Sequence, residues 1–242
     1  MEHAERRVLS DAARRKLEQV STATITTQLL RAGFRHTFMA GLVPLSRDRR
    51  MVGYAFTLRY VPAREDVAVD AHYDNDRNVQ RLAVEAVGSE DVLVIDARSD
   101  VSAASFGHII ATRIARRGAA GLVTDGALRD TEGIARLALP TYYRAAHATT
   151  SAVAHHPVDM NVPIGCAGIL VMPGDVLVGD ADGVVVIPSA HAEAVAHASF
   201  EQEELEAFLT GKVAAGESIR GVYPPSEDVL REYEEHRRER SA

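Results

Sequence analysis

The segment Gly118-Ala-Ala-Gly-Leu-Val-Thr-Asp-Gly126 combines a helix end, a buried strand and a tight turn in nine residues. Gly118 suits the end of a helix, and residues 121–124 form a short apolar run with β-branched members. The Asp125-Gly126 turn then delivers Arg129 and Asp130 to the carboxyl edge of that strand. Open α/β sheets bind their ligands at this edge, so the segment predicts both a fold class and a place for the chemistry.

The flanking sequence alternates strand and helix patterns. Met51–Tyr60 alternates apolar and polar residues, which indicates a strand that Pro62 stops, and Asp91–Asp96 is typical of a buried strand. Ser21 and Gly33 are suited to frame a helix between them. Further helices are predicted at residues 80–87, 105–117, 134–139 and 189–210. This order predicts an α/β fold with a mixed or largely parallel sheet flanked by helices.

The amino-acid composition changes in the last third of the chain. After Pro157 it is rich in Gly, Pro and β-branched residues, and the Asp182-Gly183 pair between two apolar runs predicts a hairpin. From residue 189 the pattern becomes acidic and helical, with a break between Gly216 and Pro225. We expect one domain over residues 1–242, in which residues 189–242 form an acidic C-terminal helical arm on the surface or on a neighbouring subunit.

Composition narrows the class of protein. The 242-residue chain is 46% hydrophobic and 25% charged, which is ordinary for a globular protein, and its net charge is −7. Cys166 is the only cysteine and lies in an apolar run, so no intrachain disulfide can form and we expect a reducing, cytoplasmic location. No apolar stretch of about 18 residues and no secretion signal occurs, which predicts no membrane association. An acidic chain without a basic stripe also argues against nucleic-acid binding.

Gly107 and His108 stand near the predicted start of a helix. Free backbone N–H groups and the positive end of the helix dipole make such a start suited to an anion, and Gly107 would let a carboxylate approach the backbone closely. The alternative is that Gly107 serves only a turn or tight packing.

Arg129 and Asp130 place a fork of donors beside a hard oxygen ligand. A guanidinium suits a carboxylate or a developing enolate, and an aspartate suits Mg²⁺, which takes one or two protein carboxylates and keeps its waters. Together they predict a site for a 2-keto acid and its metal. The alternative is a surface salt bridge.

Other chemistries find less support. Adjacent His155 and His156 would point apart on a helix or a strand, and no His-Glu-x-x-His motif occurs, so zinc stays open only as a site of His108, His147 and a carboxylate. The nucleophile elbow, the dinucleotide fingerprint and the P-loop are all absent from the sequence. The acidic residues at 66, 70, 74 and 76 indicate a solvated loop rather than a carboxylate cluster.

Taken in order, these segments resemble the RraA-like family, which includes the regulators of ribonuclease activity A and the 4-hydroxy-4-methyl-2-oxoglutarate aldolases. Each matching segment is short, but their order and spacing are specific. They extend through almost the whole chain, at residues 21–24, 92–96, 106–107, 118–130, 173–175 and 180–188.

The resemblance implies a swivelling α/β fold of the β/β/α type, assembled as a homotrimer or hexamer with active sites between subunits. It implies that the backbone amides from Gly107 through His108 and Ile109 to Ile110 hold the substrate carboxylate. Arg129 would contact the keto oxygen, and Asp130 would bind Mg²⁺ or Mn²⁺. The family's aldolases also use a glutamate from the neighbouring subunit's C-terminal region, for which the candidates are Glu201, Glu203 and Glu204.

The activity implied is metal-dependent, class II retro-aldol cleavage of a 4-hydroxy-2-oxo acid to pyruvate, with oxaloacetate decarboxylation as a second activity through the same enolate. One position departs from the family, because the aldolases carry an acidic residue where this chain has His108. An imidazole brings no negative charge and repels a metal when protonated. We therefore expect weaker metal binding, a shifted pH optimum or loss of aldolase activity.

Two other functions stay open. A non-catalytic regulator would mask a ribonuclease or another protein, and the acidic tail could dock on a basic RNA-binding segment. A third function keeps the pocket but changes the reaction, to that of a sugar-acid lyase or a tautomerase.

Overall fold

The computed structural model describes residues 8–66 and 74–241. Its strands are β1 (Val43–Pro44), β2 (Met51–Pro62), β3 (Asp91–Asp96), β4 (Ala104–Phe106), β5 (Gly121–Thr124), β6 (Ala127–Leu128), β7 (Thr141–Tyr143), β8 (Ala145–Ala146), β9 (His155–Met160), β10 (Ile164–Cys166), β11 (Ile169–Val171), β12 (Val176–Gly179) and β13 (Val184–Ile187). Its helices are α1 (Asp11–Leu17), α2 (Thr22–Arg31), α3 (Val79–Ala86), α4 (His108–Arg116), α5 (Thr131–Ala135), α6 (Ala192–Ala214), α7 (Ile219–Val222) and α8 (Glu227–Ser241).

The main sheet is mixed, with the order β1-β7-β5-β3-β2-β12-β13. Its centre, β7-β5-β3-β2, is parallel, whereas β1, β12 and β13 pair antiparallel. Strand β2 is long enough to have two partners on one side, since its first residues pair with β12 and its last with β9. This architecture confirms the predicted α/β class with flanking helices.

Side chains of β3 alternate between two cores, as the two-residue period of a strand requires. Val92 and Val94 pack in the core that includes Cys166 of the β10–β11 hairpin. Leu93 and Ile95 pack in the core that includes residues of α3 and α4. The helices carrying the candidate site are therefore fixed to one face of the sheet.

Several predicted elements are confirmed. Ser21 caps α2 by accepting a hydrogen bond from the Thr24 backbone N–H at 3.1 Å, and Gly33 after it has a φ of 94°. Strand Asp91–Asp96 and strand Gly121–Thr124 have the predicted bounds. The Asp182-Gly183 pair joins β12 and β13 in an antiparallel hairpin.

Other predictions were wrong in their bounds. Strand β2 continues to Pro62, because its last residues pair with β9 and a strand end does not need the missing proline N–H. Residues 105–106 are the end of β4 rather than the start of a helix. The predicted helix at 134–139 lies earlier, at Thr131–Ala135.

The C-terminal segment has two parts with different packing. Helix α6 lies along α1 and α2, with the Gln28 amide donating to Gln202 at 2.5 Å. Beyond it, Leu209, Val222 and Val229 form a small separate cluster. Whether residues 189–242 reach a neighbouring subunit stays a prediction. Among the described residues, no helix combines the length and apolar character that crossing a membrane requires.

Candidate active site

Three short strands form a second, parallel sheet, β4-β6-β8, and the candidate residues follow their carboxyl ends. Gly107 follows β4, Arg129 follows β6 and His147 follows β8. Backbone hydrogen bonds fix this register, since the Arg129 N–H donates to Phe106 O at 3.1 Å and the His147 N–H to Leu128 O at 2.9 Å. The candidate residues therefore do lie at a carboxyl edge of strands, but the edge is that of this three-stranded sheet and not that of the main sheet.

The Asp125-Gly126 segment explains how the chain reaches that sheet. It is a bend that connects β5 of the main sheet with β6 of the small sheet. A Cβ on Gly126 would stand 2.6 Å from the Ala97 Cβ, so the close approach of these two segments requires glycine.

Gly107 is the N-cap of α4 and supplies no side-chain hydrogen bond to the helix start. The N–H groups of His108, Ile109 and Ile110 therefore have no acceptor inside the helix. A Cβ at residue 107 would lie 3.1 Å from Arg129 Nε and 3.3 Å from Asp130 Oδ2, tighter than usual contacts. Gly107 thus provides tight packing, and it does so against the two side chains predicted to hold the substrate and the metal.

Arg129 and Asp130 form an ion pair with each other, which is the salt bridge that the sequence offered as the alternative to a substrate and metal site. Arg129 Nε lies 3.3 Å from Asp130 Oδ2, and the same oxygen is 3.4 Å from the His108 backbone nitrogen. The two side chains are 40% and 49% exposed, so the pair contributes little stability. Asp130, the N-cap of α5, has a left-handed φ of 58°, and its side chain makes no capping hydrogen bond to that helix.

These groups line a cavity of about 720 Å³. His108 contributes a half-buried imidazole to its wall, and Ile109 is 82% exposed. The opposite wall comes from α3, through Arg81 and Glu85, and Glu85 binds Arg113 of α4 with Oε2 2.7 Å from the Arg113 Nη2. Sequence reasoning missed α3 as a wall of the site, although the four-residue spacing of Arg81 and Glu85 placed both on one helix face.

The donor set can be compared with the metal that the family resemblance implies. Asp130 is a single carboxylate, and the described residues include no group of three His, Cys, Asp or Glu side chains able to hold an ion. Such a site does not suit zinc, which needs several protein ligands. It suits Mg²⁺ or Mn²⁺, which keep waters and bind together with substrate oxygens.

Three further histidines, at positions 147, 155 and 156, and Cys166 were also considered as site residues from the sequence. Nδ1 of His147 accepts a hydrogen bond from the Thr149 N–H at 3.1 Å, which argues against the minor zinc alternative. His155 is buried and His156 is only half-buried, so the two side chains do point apart. Cys166 is fully buried, and burial raises the pKa of its thiol well above the usual value. Of the acidic loop, Asp70 lies outside the described residues.

Among the three C-terminal glutamates, Glu203 is already engaged within its own chain. Its carboxylate accepts the Ser21 N–H at 2.8 Å. Burial opposes ionisation of Glu203, but hydrogen bonds from Ser21 and Thr24 together with the charge of Arg50 outweigh it and lower the pKa of the carboxyl. Glu204 lines a groove with Tyr233, and Glu201 is exposed. Which of them reaches a neighbouring site stays a prediction.

Behind the site, Asp125 organises the backbone. Its buried carboxylate accepts hydrogen bonds from the N–H groups of Ala97 at 2.7 Å, Ser99 at 2.9 Å and Ala167 at 3.2 Å. Arg98 and Ser99 have positive φ angles of 60° and 54°, a conformation that non-glycine residues rarely adopt. The carboxylate therefore stabilises a strained loop directly before β4.

The chain is similar in sequence and in fold to several known proteins. A family model described as Aldolase/RraA matches residues 10–186. A Halalkalibacterium halodurans protein named "Putative 4-hydroxy-4-methyl-2-oxoglutarate aldolase" is 34% identical over 154 residues, which are 63% of this chain and 66% of that protein. An Ectopseudomonas mendocina protein of the same name is 31% identical over 51% of this chain and 75% of its own length.

A solved structure is also similar. Streptomyces coelicolor RraAS2, described as an unusual member of the RNase ES inhibitor RraA protein family, is 30% identical. The TM-score is 0.73, with 83% of this chain and 96% of that chain covered.

Proposed function

The chain belongs to the Aldolase/RraA family, and from that premise we propose that it is a divalent-metal-dependent lyase that cleaves a 4-hydroxy-2-oxo acid to pyruvate. The observation that carries the proposal is the convergence of the Gly107 helix start, Arg129 and Asp130 in one cavity. The amides at the start of α4, of which only that of His108 has an acceptor among the described residues, Asp130 Oδ2 at 3.4 Å, suit the substrate carboxylate. A guanidinium suits the keto oxygen, and a carboxylate suits Mg²⁺ or Mn²⁺.

In the proposed reaction the 4-hydroxyl group loses its proton and the C3–C4 bond breaks, so that its electron pair forms the enolate of pyruvate. Arg129 stabilises the negative charge that develops on the keto oxygen. Asp130 would hold the divalent ion, which when bound supplies further positive charge for the same oxygen. The N–H groups of His108, Ile109 and Ile110 orient the carboxylate.

His108 is the group proposed to accept the hydroxyl proton, directly or through water. Its imidazole lines the cavity. Nδ1 packs against Gly133, so Nε2, the ring nitrogen farther from that glycine, is the one proposed to take the proton. Protonation of the enolate at C3 completes the release of pyruvate. Oxaloacetate would lose CO₂ through the same enolate, which makes its decarboxylation a proposed second activity.

Pyruvate release, coupled to lactate dehydrogenase, tests the proposal. The substrates are oxaloacetate and a set of 4-hydroxy-2-oxo acids, each with Mg²⁺, with Mn²⁺ and with chelator. We expect metal-dependent pyruvate, and a loss of kcat/KM of about 100-fold or more in Arg129→Ala. Arg136→Ala is the matched control, because Arg136 is the C-cap of α5 and its side chain is 75% exposed. No metal-dependent pyruvate from any substrate would contradict the proposal.

A regulator of a ribonuclease is the second candidate, and the similarity to RraAS2 supports it. It requires no turnover, so intact binding to a ribonuclease by Arg129→Ala, together with no pyruvate release by the wild type, would favour it. We further propose a homotrimer or hexamer, which sedimentation velocity would distinguish from a monomer.

A further inference from the structure

Arg81 is a cation in the wall of the active-site cavity to which the proposed reaction assigns no role. Of the arginines in that wall, Arg113 is held by both oxygens of Glu85, and Arg129 pairs with Asp130. Arg81 forms no ion pair with any described residue, and the exposed Asp76 in the same wall does not bind it. A half-buried arginine that lines a cavity and has no counterion among the described residues is suited to an anionic ligand.

The packing of two helices places Arg81 relative to the substrate amides. Gln80 at the start of α3 donates to Ser105 O at 3.0 Å, two residues before the N-cap of α4. One turn further along both helices, Glu85 pairs with Arg113. The helices therefore run side by side in the same direction, and Arg81 lies four residues before Glu85 just as Ile109 lies four before Arg113. Arg81 is thus level with the first turn of α4.

Packed helix axes are about 8–10 Å apart, and an arginine side chain spans much of such a gap. The α4 amides and Arg81 line the same cavity, so a five-carbon acid whose first carboxylate lies on those amides can extend within it to α3. We propose that Arg81 determines specificity by binding a second, distal carboxylate of the substrate. This inference rests on the proposed function for the position of the first carboxylate. It implies a substrate with a carboxylate at each end.

Two non-cleavable ligands of equal chain length separate the inference from the reaction. 2-Oxoglutarate carries the distal carboxylate, and 2-oxopentanoate ends in a methyl group. Calorimetric titration with Mg²⁺ should show that the wild type binds 2-oxoglutarate about tenfold or more tightly than 2-oxopentanoate. Arg81→Gln should lose this preference, whereas Arg81→Lys should keep part of it. Arg116→Gln, on an exposed position of α4 outside the cavity, is the matched control and should keep it in full.

Turnover of 4-hydroxy-2-oxoglutarate and 4-hydroxy-2-oxopentanoate gives the second measurement. Arg81→Gln should raise KM for the first about tenfold or more and leave kcat/KM for the second unchanged. Equal effects on both substrates, or equal affinity of the wild type for both non-cleavable ligands, would overturn the inference. If binding follows Arg81 but neither substrate releases pyruvate, the proposed function fails and the inference stands.

Discussion

The imidazole of His108 lies against Gly133, where a Cβ would stand 2.9 Å from its Cγ, 3.0 Å from its Nδ1 and 3.1 Å from its Cδ2. Gly133 is inside helix α5, where its φ is not positive and alanine would be the better helix former. The glycine therefore leaves room for the His108 ring beside the candidate metal ligand Asp130.

Gly133→Ala should separate stability from activity. Alanine is favoured over glycine inside a helix by about 0.5–1 kcal/mol, which offsets part of the cost of moving the His108 ring, so the free energy of unfolding should change by no more than about 1 kcal/mol. The added methyl group should also displace the His108 ring and lower kcat about tenfold through misplacement of a catalytic group. Melting temperature and pyruvate release measure the two effects, and unchanged turnover would show that the ring position is irrelevant.

His108→Asp should strengthen metal dependence. A carboxylate beside Asp130 adds negative charge where the imidazole has none, so the Mg²⁺ concentration for half-maximal activity should fall about tenfold or more. Glu132→Gln, which removes an exposed charge two residues after Asp130, is the matched control. Equal Mg²⁺ affinity and equal turnover in wild type and His108→Asp would refute the expectation.

Asp125→Asn should destabilise the fold. One oxygen of Asp125 accepts from Ala97, and the other accepts from both the N–H and the hydroxyl of Ser99 and from Ala167. An amide NH₂ group in either place faces a donor, so about 2–3 kcal/mol of stability should be lost. Thermal or urea unfolding measures it, and Asp182→Asn, in the exposed hairpin turn, provides the control. Identical unfolding of the two variants would contradict the role of Asp125.

His155 should make stability depend on pH. Its Nε2 lies 3.0 Å from Ala103 O and its Nδ1 3.3 Å from an Arg98 nitrogen, an arrangement that suits the neutral ring. Burial lowers the pKa of His155, although the hydrogen bond to Ala103 opposes the shift. Because the unfolded state then binds the proton more readily, stability should be full above the unfolded pKa of about 6.5 and decline as pH falls below it.

Melting temperatures from about pH 8 to about pH 5 check this expectation, because histidine changes charge in that interval. His155→Gln keeps an amide donor for Ala103 but cannot take up the proton, so its melting temperature should change less over the same range. A parallel decline in both proteins would assign the pH dependence to other groups.

The parts of the candidate site that lie close together in the sequence could be predicted from it. The glycine before a helix and the adjacent Arg129 and Asp130 are readable as residue types, and their spacing carried the family resemblance. The second wall was not predictable, because Arg81 reaches the cavity only through the packing of α3 on α4. The bounds of β4 were missed for a related reason, since the pairing of Ala104–Phe106 with β6 decides them rather than local propensity.

The sequence by itself determined the α/β class, the caps of α2, the β12–β13 hairpin and the residues that belong together in the family. Periodicity, capping side chains and turn residues act between residues that are close in the chain, so they can be read from the sequence. The tertiary structure decided that the chain leaves the main sheet at Asp125 and that three strand ends meet at one edge. It also placed His108 against Gly133 and left Arg81 without an ion pair to any residue in the ranges 8–66 and 74–241. These relations depend on contacts between residues distant in sequence, and only the packed fold fixes them.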